Sequence, residues 1–321
     1  MAMKSRPCLL VQAGLLGGLL LGCGDDQETT ADARANTSAG TGGKAARAGA
    51  GAASTSKAMR ELKIRFRAVV GDREFSCLET YEDIGSTKVR AVPADFRFYL
   101  QDVKLISSDG QEVPLTLQKR APWQTADVAM IDFEDMTGAC HGTAETNDYI
   151  TGSVPAGDYK GIVFTNGVPE KLNHLEQSTL PPPLDLTDMY WAWLSGFRYY
   201  VVELQQADVG TGAGGDDAGI VLPGLGLLHT GATACVKDGC KFQNRNSIRL
   251  TDFDPDSDVI VADAAEVFVA TDITKDMQCH SSGELCAPMY ERIGLEWGTG
   301  KALSEQTAYR VEHGKSANGG K

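Results

Sequence analysis

Short runs in which apolar and polar side chains alternate dominate the chain from residue 62 onward. In Leu62-Lys63-Ile64-Arg65-Phe66-Arg67-Ala68-Val69 every second residue is apolar. That period turns one face of a β-strand to a core and the other to water. Asp95-Phe96-Arg97-Phe98-Tyr99-Leu100-Gln101-Asp102-Val103-Lys104-Leu105 repeats the pattern. Further strands are predicted at 128–133, 159–164, 197–204, 247–250, 259–261 and 267–269, approached by turn residues such as Pro155-Ala156-Gly157-Asp158. Helical periodicity is scarce. A short turn capped by Thr187 or Asp185 is expected to run from Met189 to Leu194 and stop at Gly196; 263–268 and 289–295 are the other helical candidates. Many short strands and few helices predict an all-β fold, an antiparallel β-sandwich or barrel-like structure. The Gly/Asp stretch 210–219 reads as a surface loop.

The first residues follow another pattern. Lys4 and Arg6 precede an apolar run from Leu9 to Leu21 that is short for a membrane span, and the run ends in Leu20-Leu21-Gly22-Cys23. This resembles a bacterial lipoprotein signal, with residues 1–22 removed and lipid placed on Cys23. The rival is an ordinary signal peptide with an incidental cysteine. Several acyl chains, each gaining about 0.8 kcal/mol per buried CH2, would anchor the protein stably. Gly24 after the cysteine favours an outer-membrane lipoprotein on the periplasmic side, the cell surface being the alternative. Residues 23–58, rich in Ala, Gly, Ser and Thr, read as a flexible tether. A single β domain is expected over 59–312 and a disordered tail over 313–321. The net charge of -13 argues against a nucleic-acid partner, since nothing offsets phosphate repulsion. The lipid anchor is the expected membrane contact.

Setting aside Cys8 and Cys23, six cysteines remain, an even number that suggests disulfides in an exported chain. Short loops favour Cys235–Cys240 and Cys279–Cys286, which leaves Cys77–Cys140. A four-thiolate zinc site from Cys235, Cys240, Cys279 and Cys286 lacks the usual two-residue knuckle spacing.

Among the five histidines, His141 and His280 each follow a cysteine, and His313 lies in the polar tail. His174 and His229 stand apart, and His229 precedes Cys235 in a turn-like segment that a disulfide would stiffen. A single histidine is more often a satisfied core or surface residue than a ligand, although it is the commonest metal ligand. Trp191 and Trp193 follow the stiff Pro181-Pro182-Pro183 turn. Aromatics in such places usually fill a core or a rim, and an intact indole N–H only donates. Opening of the indole to kynurenine would supply an amine and a ketone. The carboxylates Asp252, Asp254, Asp256 and Asp258, with Asp263 at the twelfth position, imitate a calcium loop. Ser257 stands where glycine is needed and Pro255 stiffens the run, so an acidic surface turn is the better reading. Signatures of nucleophilic hydrolases, zinc proteases, phosphate loops and covalent haem sites are absent, so the protein is not expected to be an enzyme.

The folded part resembles the MbnP-like family, the four-Cys partner proteins of dihaem MauG-like enzymes in bacterial copper handling. The matching segments are, in order, Ile64 to Gly71, Phe96 to Val103, Asp132 to Cys140, Val154 to Tyr159, Gly167-Val168-Pro169, Leu172-Asn173-His174, Met189 to Trp193 and the His229 segment. The resemblance implies an exported copper-binding protein of copper homeostasis, with His174 and His229 as copper ligands. It also implies that Trp193, or else Trp191, is oxidised to kynurenine by a dihaem MauG-like (MbnH-like) peroxidase. His280 stands where the family would carry an apolar Met. The alternative from another class is a structural or adhesive β-sandwich lipoprotein that binds carbohydrate or protein.

Overall fold

A computed structural model describes residues 58–207, 224–237, 239–275 and 277–314. The signal segment, Cys23, the tether up to residue 57, the 210–219 loop and the tail beyond residue 314 lie outside the described residues. Among the described residues, no helix is long and apolar enough to cross a membrane.

Two curled sheets pack face to face, the all-β sandwich that the alternation predicts. The small sheet runs Tyr309–Glu312, Val259–Asp263, Met59–Val70, Tyr149–Pro155, Thr116–Leu117. Met59–Val70 and Val259–Asp263 pair in parallel, with Phe66 opposite Ile260. The large sheet runs Ser247–Leu250, Tyr159–Asn166, Val89–Ser107, Tyr200–Gln206, Leu225–Thr230, Met277–Cys279. Its spine is the 19-residue strand Val89–Ser107, rich in the aromatic and β-branched residues that suit a pleated surface. Pro93 lacks an N–H for the ladder and sits where the register with Tyr200–Gln206 slips.

The core between the sheets is aromatic. Phe66 of the small sheet meets Phe98 and Phe164 of the large one edge-on, at ring-centroid distances of 6.0 and 5.8 Å. Phe98 stacks on Tyr200 at 5.6 Å, its register partner one strand over. Burial of each such side chain contributes about 1.5–3 kcal/mol. The opposite face of the large sheet is covered as well. Tyr99, Met130, Val168, Met189, Phe197, Tyr199 and Val201 form a second apolar cluster there, under the segments that lead through residues 121–143 and 167–199.

Three disulfides join Cys77 to Cys140, Cys235 to Cys240 and Cys279 to Cys286, the pairing that loop lengths favour. Cys77–Cys140 closes a separation of 63 residues, for which the chain-entropy model gives about 4 kcal/mol.

Three expected elements differ. The strand expected at 197–204 breaks at Arg198 and Tyr199 into Gly196–Phe197 and Tyr200–Gln206, which lie in different sheets. The 189–194 helix is absent: a 3-10 turn at Thr187–Met189 gives way to the strand Tyr190–Ala192, which pairs with Gly196–Phe197 in a tight hairpin. Neither Thr187 nor Asp185 caps it; Leu186 holds that position with no side-chain hydrogen bond. Gly196 turns the hairpin at φ 78°, a left-handed conformation that favours glycine. The strand expected at 267–269 is instead the end of the helix Ala264–Phe268, because Asp263 caps it by accepting the Ala265 N–H at 3.1 Å. That cap occupies the residue at the twelfth position of the calcium-like pattern. Asp254 and Asp258 accept backbone N–H groups of their own turn, from Asp256 and Asp254, each at 2.9 Å. At the start of the expected tail, His313 and Gly314 are tied to Asp258, each at 3.0 Å.

Candidate metal centre

Strand alternation sorts the large sheet into two chemistries. Phe96, Phe98, Tyr200, Val202 and Leu228 point into the aromatic core. The residues between them carry Asp95, Arg97, Glu203 and His229 on the other face, and all four are buried. Glu203 lies opposite Asp95 on one side and Leu227 on the other, while Val201 lies opposite Arg97 and His229. Two carboxylates thus face each other across a strand pair, which is destabilising unless cations intervene.

Three cationic or hydrogen-bonding groups intervene. Arg97 grips Asp95 with two nitrogens, at 2.8 and 2.5 Å. His229 Nε2 lies 2.7 Å from Glu203 Oε1, and His141 Nε2 lies 3.1 Å from Glu203 Oε2. Burial opposes the Glu203 charge, but the hydrogen bonds from His141 and His229 outweigh it and hold the carboxyl below its usual range. The hydrogen bond to Glu203 pushes half-exposed His141 up to about 9. Burial pushes His229 down to about 4, with Glu203 opposing only in part. These directions favour the charged form of Glu203 and of His141 and the neutral form of His229. A second buried group lies beside it: burial raises Asp95 to about 6 and Asp132 to about 8 despite Arg97.

His229 is fully buried, and its Nδ1 has no hydrogen-bond partner. An orphaned buried polar atom costs about 1–3 kcal/mol. The ring of His280 stands 4.9 Å from that of His229, nearly perpendicular at 72°. Local hydrogen bonds fix this corner: Ser281 Oγ donates to the His229 carbonyl at 3.0 Å and accepts from Gly231 N at 3.1 Å and from Tyr290 Oη at 2.6 Å. The Cys279–Cys286 disulfide closes the loop that carries His280.

His280 lines a cleft of about 520 Å³ with Trp191, Ser195, Arg198, Thr233 and Ser282. A Cβ at Gly231 would run into the Trp191 ring and, at 2.7 Å, the Phe197 carbonyl, so the glycine lets the indole lie against the His229 strand. A smaller cleft of about 240 Å³ shares Thr233 and Ser282 and adds Phe242, Asn244 and Trp297.

The remaining residues expected from sequence sit elsewhere. His174 Nε2 is 3.4 Å from Cys240 Sγ and 3.6 Å from Glu170, and its Nδ1 is 3.3 Å from the Trp193 carbonyl. Cys240 is in a disulfide, so it offers no thiolate there. His174 and His229 share no hydrogen-bond or ion-pair partner. Trp193 is 51% exposed, whereas Trp191 is half-buried at the cleft. Among the described residues, no group of three or more His, Cys, Asp or Glu side chains is gathered for a metal. Sequence reasoning missed Glu203 altogether. Its signal was a lone carboxylate inside Tyr200-Val201-Val202-Glu203-Leu204, an otherwise apolar strand.

The MbnP family model matches residues 59–281. The solved structure of MbnP from Methylosinus trichosporium superposes with a TM-score of 0.70 at 23% identity, covering 80% of this chain and 99% of that one. That likeness is one of fold. No curated protein sequence matches the chain.

Proposed function

The chain belongs to the MbnP family, and from that premise we propose that it is a copper-binding protein of copper homeostasis, with the ion held at His229 and His280 beside Trp191. One observation carries the reading: a fully buried imidazole, His229, whose Nδ1 has no hydrogen-bond partner. Imidazole suits copper in both common oxidation states. The second imidazole stands 4.9 Å away, ring centre to ring centre, close enough to serve as the partner ligand in this reading. The family resemblance suggested His174 with His229; the ring-to-ring approach of His280 supports His280 as the partner. Two imidazoles leave coordination positions open. Trp191, opened to kynurenine by a dihaem MauG-like peroxidase, would add an amine or ketone donor at the same cleft, and its position favours it over Trp193. The role is one of binding, without catalysis by this chain. The signal pattern supports an outer-membrane lipoprotein facing the periplasm.

Competitive titration with cuprous ion, using a chromophoric chelator, tests the ligand set. His229→Ala and His280→Ala are expected to lose affinity by 100-fold or more, on the order of 3 kcal/mol, and His174→Ala to keep it. Loss in His174→Ala and His229→Ala with retention in His280→Ala restores the other pair, and retention in all three ends the copper reading. Intact-mass measurement after coexpression with the peroxidase tests the tryptophan: a ring-opening mass shift that Trp191→Phe abolishes and Trp193→Phe does not is the expected result.

A second reading draws on the exposure of Leu175, Trp193 and Leu194, at 43%, 51% and 41%. An adhesive β-sandwich lipoprotein would use these as a contact surface and would retain no copper.

A further inference from the structure

We propose that Glu203 is the positioning residue of the copper site, deciding which nitrogen His229 offers to the ion, and that His141 anchors its carboxylate from the solvent side. The proposal rests on the copper reading above and assigns two residues that the ligand set does not include.

The argument starts from hydrogen-bond logic. An ionised carboxylate only accepts. Glu203 Oε1, 2.7 Å from His229 Nε2, therefore requires that nitrogen to carry the proton. A neutral imidazole has one N–H, so the lone pair falls on Nδ1, the atom left without a partner. Had the proton sat on Nδ1, the same ring would face Glu203 with a lone pair and offer no donor to a metal. The carboxylate is thus the element that makes His229 a ligand through one nitrogen. Such carboxylate–histidine pairs behind a metal fix both the tautomer and the ring orientation.

The geometry around Glu203 gives it little freedom. Its strand lies between Val89–Ser107 and Leu225–Thr230, and His229 is its diagonal neighbour across the ladder. Its side chain is 4% exposed, and its second oxygen is 3.1 Å from His141 Nε2. His141 is held in turn from behind. Its backbone N–H donates to Ala94 at 3.1 Å, and its neighbour Cys140 is bridged to Cys77. A packing role alone would be served by an apolar side chain. A buried carboxylate directly opposite Asp95 is a costly choice for that purpose.

Nuclear magnetic resonance of the full, metal-free chain tests this. Long-range proton–nitrogen correlations report which ring nitrogen carries the proton. Wild-type His229 is expected as the Nε2–H form only. Glu203→Gln, which can present either a donor or an acceptor, is expected to give a mixture or the Nδ1–H form. Titration with cuprous ion is expected to show a 10- to 100-fold loss of affinity in Glu203→Gln, partial recovery in Glu203→Asp, and a several-fold loss in His141→Ala. Circular dichroism identifies any variant that fails to fold; should Glu203→Gln fail, Glu203→Asp and His141→Ala carry the same two measurements. A folded Glu203→Gln with unchanged tautomer and wild-type affinity overturns the proposal. If that variant binds normally while His229→Ala does not, only the positioning role falls. If His229→Ala binds as wild type does, the copper reading falls.

Discussion

Tyr200–Gln206 and the strands beside it show two solutions to burial on the two faces of one sheet. On the inner face, Phe96, Phe98, Tyr200 and Val202 fill space, and fit is a matter of volume. One residue along, on the outer face, Asp95, Arg97, Glu203 and His229 are buried just as deeply, and fit is a matter of charge balance. An apolar face tolerates small errors at a graded cost in packing. A buried charged face fails abruptly, because removing one partner leaves another uncompensated. The difference teaches why a buried polar cluster can occupy the outer face without loosening the fold: the inner face carries the sandwich.

The comparison is tested most severely by a pair of core substitutions. Phe98→Ala is expected to cost about 3–5 kcal/mol through a cavity and to leave copper affinity unchanged in the folded protein. Arg97→Met is expected to cost about 3–5 kcal/mol by stranding Asp95 and its neighbours, and also to weaken copper binding. Urea denaturation and metal titration measure both. Equal effects on binding would erase the distinction between the faces.

A finer test uses pH. Burial raises Asp132 to about 8 and Asp95 to about 6, so each binds its proton more tightly folded than unfolded. Their contribution to stability is complete below the ordinary carboxylate value and is lost as pH rises through the folded value. His229, pushed down to about 4, acts oppositely below its ordinary value, so the informative quantity is a difference between profiles. Asp132→Asn is expected to flatten the decline in stability between about pH 4 and pH 8. Chemical denaturation across that range measures it; an unchanged slope means that Asp132 is ionised when folded.

The smallest effect is expected at the rim. Trp193→Ala should change stability by about 0.5 kcal/mol or less and leave copper retention intact, because Trp191 is the indole at the cleft. Loss of retention would favour Trp193 over Trp191 as the residue that the proposed oxidation takes.

How much of this was legible follows from what alternation encodes. The strands were, because a period of two is a local property: Ser247–Leu250 has the predicted bounds, and Leu62 to Val69 lies within Met59–Val70. Asp95 and Arg97 read as the solvent side of a half-buried strand, and that was misleading. They are 1% exposed because the segment around Asp132, Glu134 and Gly142 folds over them. No local pattern records a cover supplied by residues some forty positions away. The candidate site was legible only in part. His229 stood out through its isolation and the nearby disulfide, and the tryptophans through their crowding. Glu203 became visible only once the register set Val201 opposite His229, and His280, noted in the sequence only as a departure from the family pattern, gained its place when the parallel strand Met277–Cys279 carried it to that side.

The parallel pairing of the small sheet has its own consequence. Met59–Val70 opens the fold, yet one of its edges waits for Val259–Asp263, and the far wall of the cleft waits for the loop after Cys279. An unfinished polypeptide has neither. On the proposed function, an ion between His229 and His280 would be held only by a chain read through to its last quarter, so metal retention would report that synthesis has passed this point.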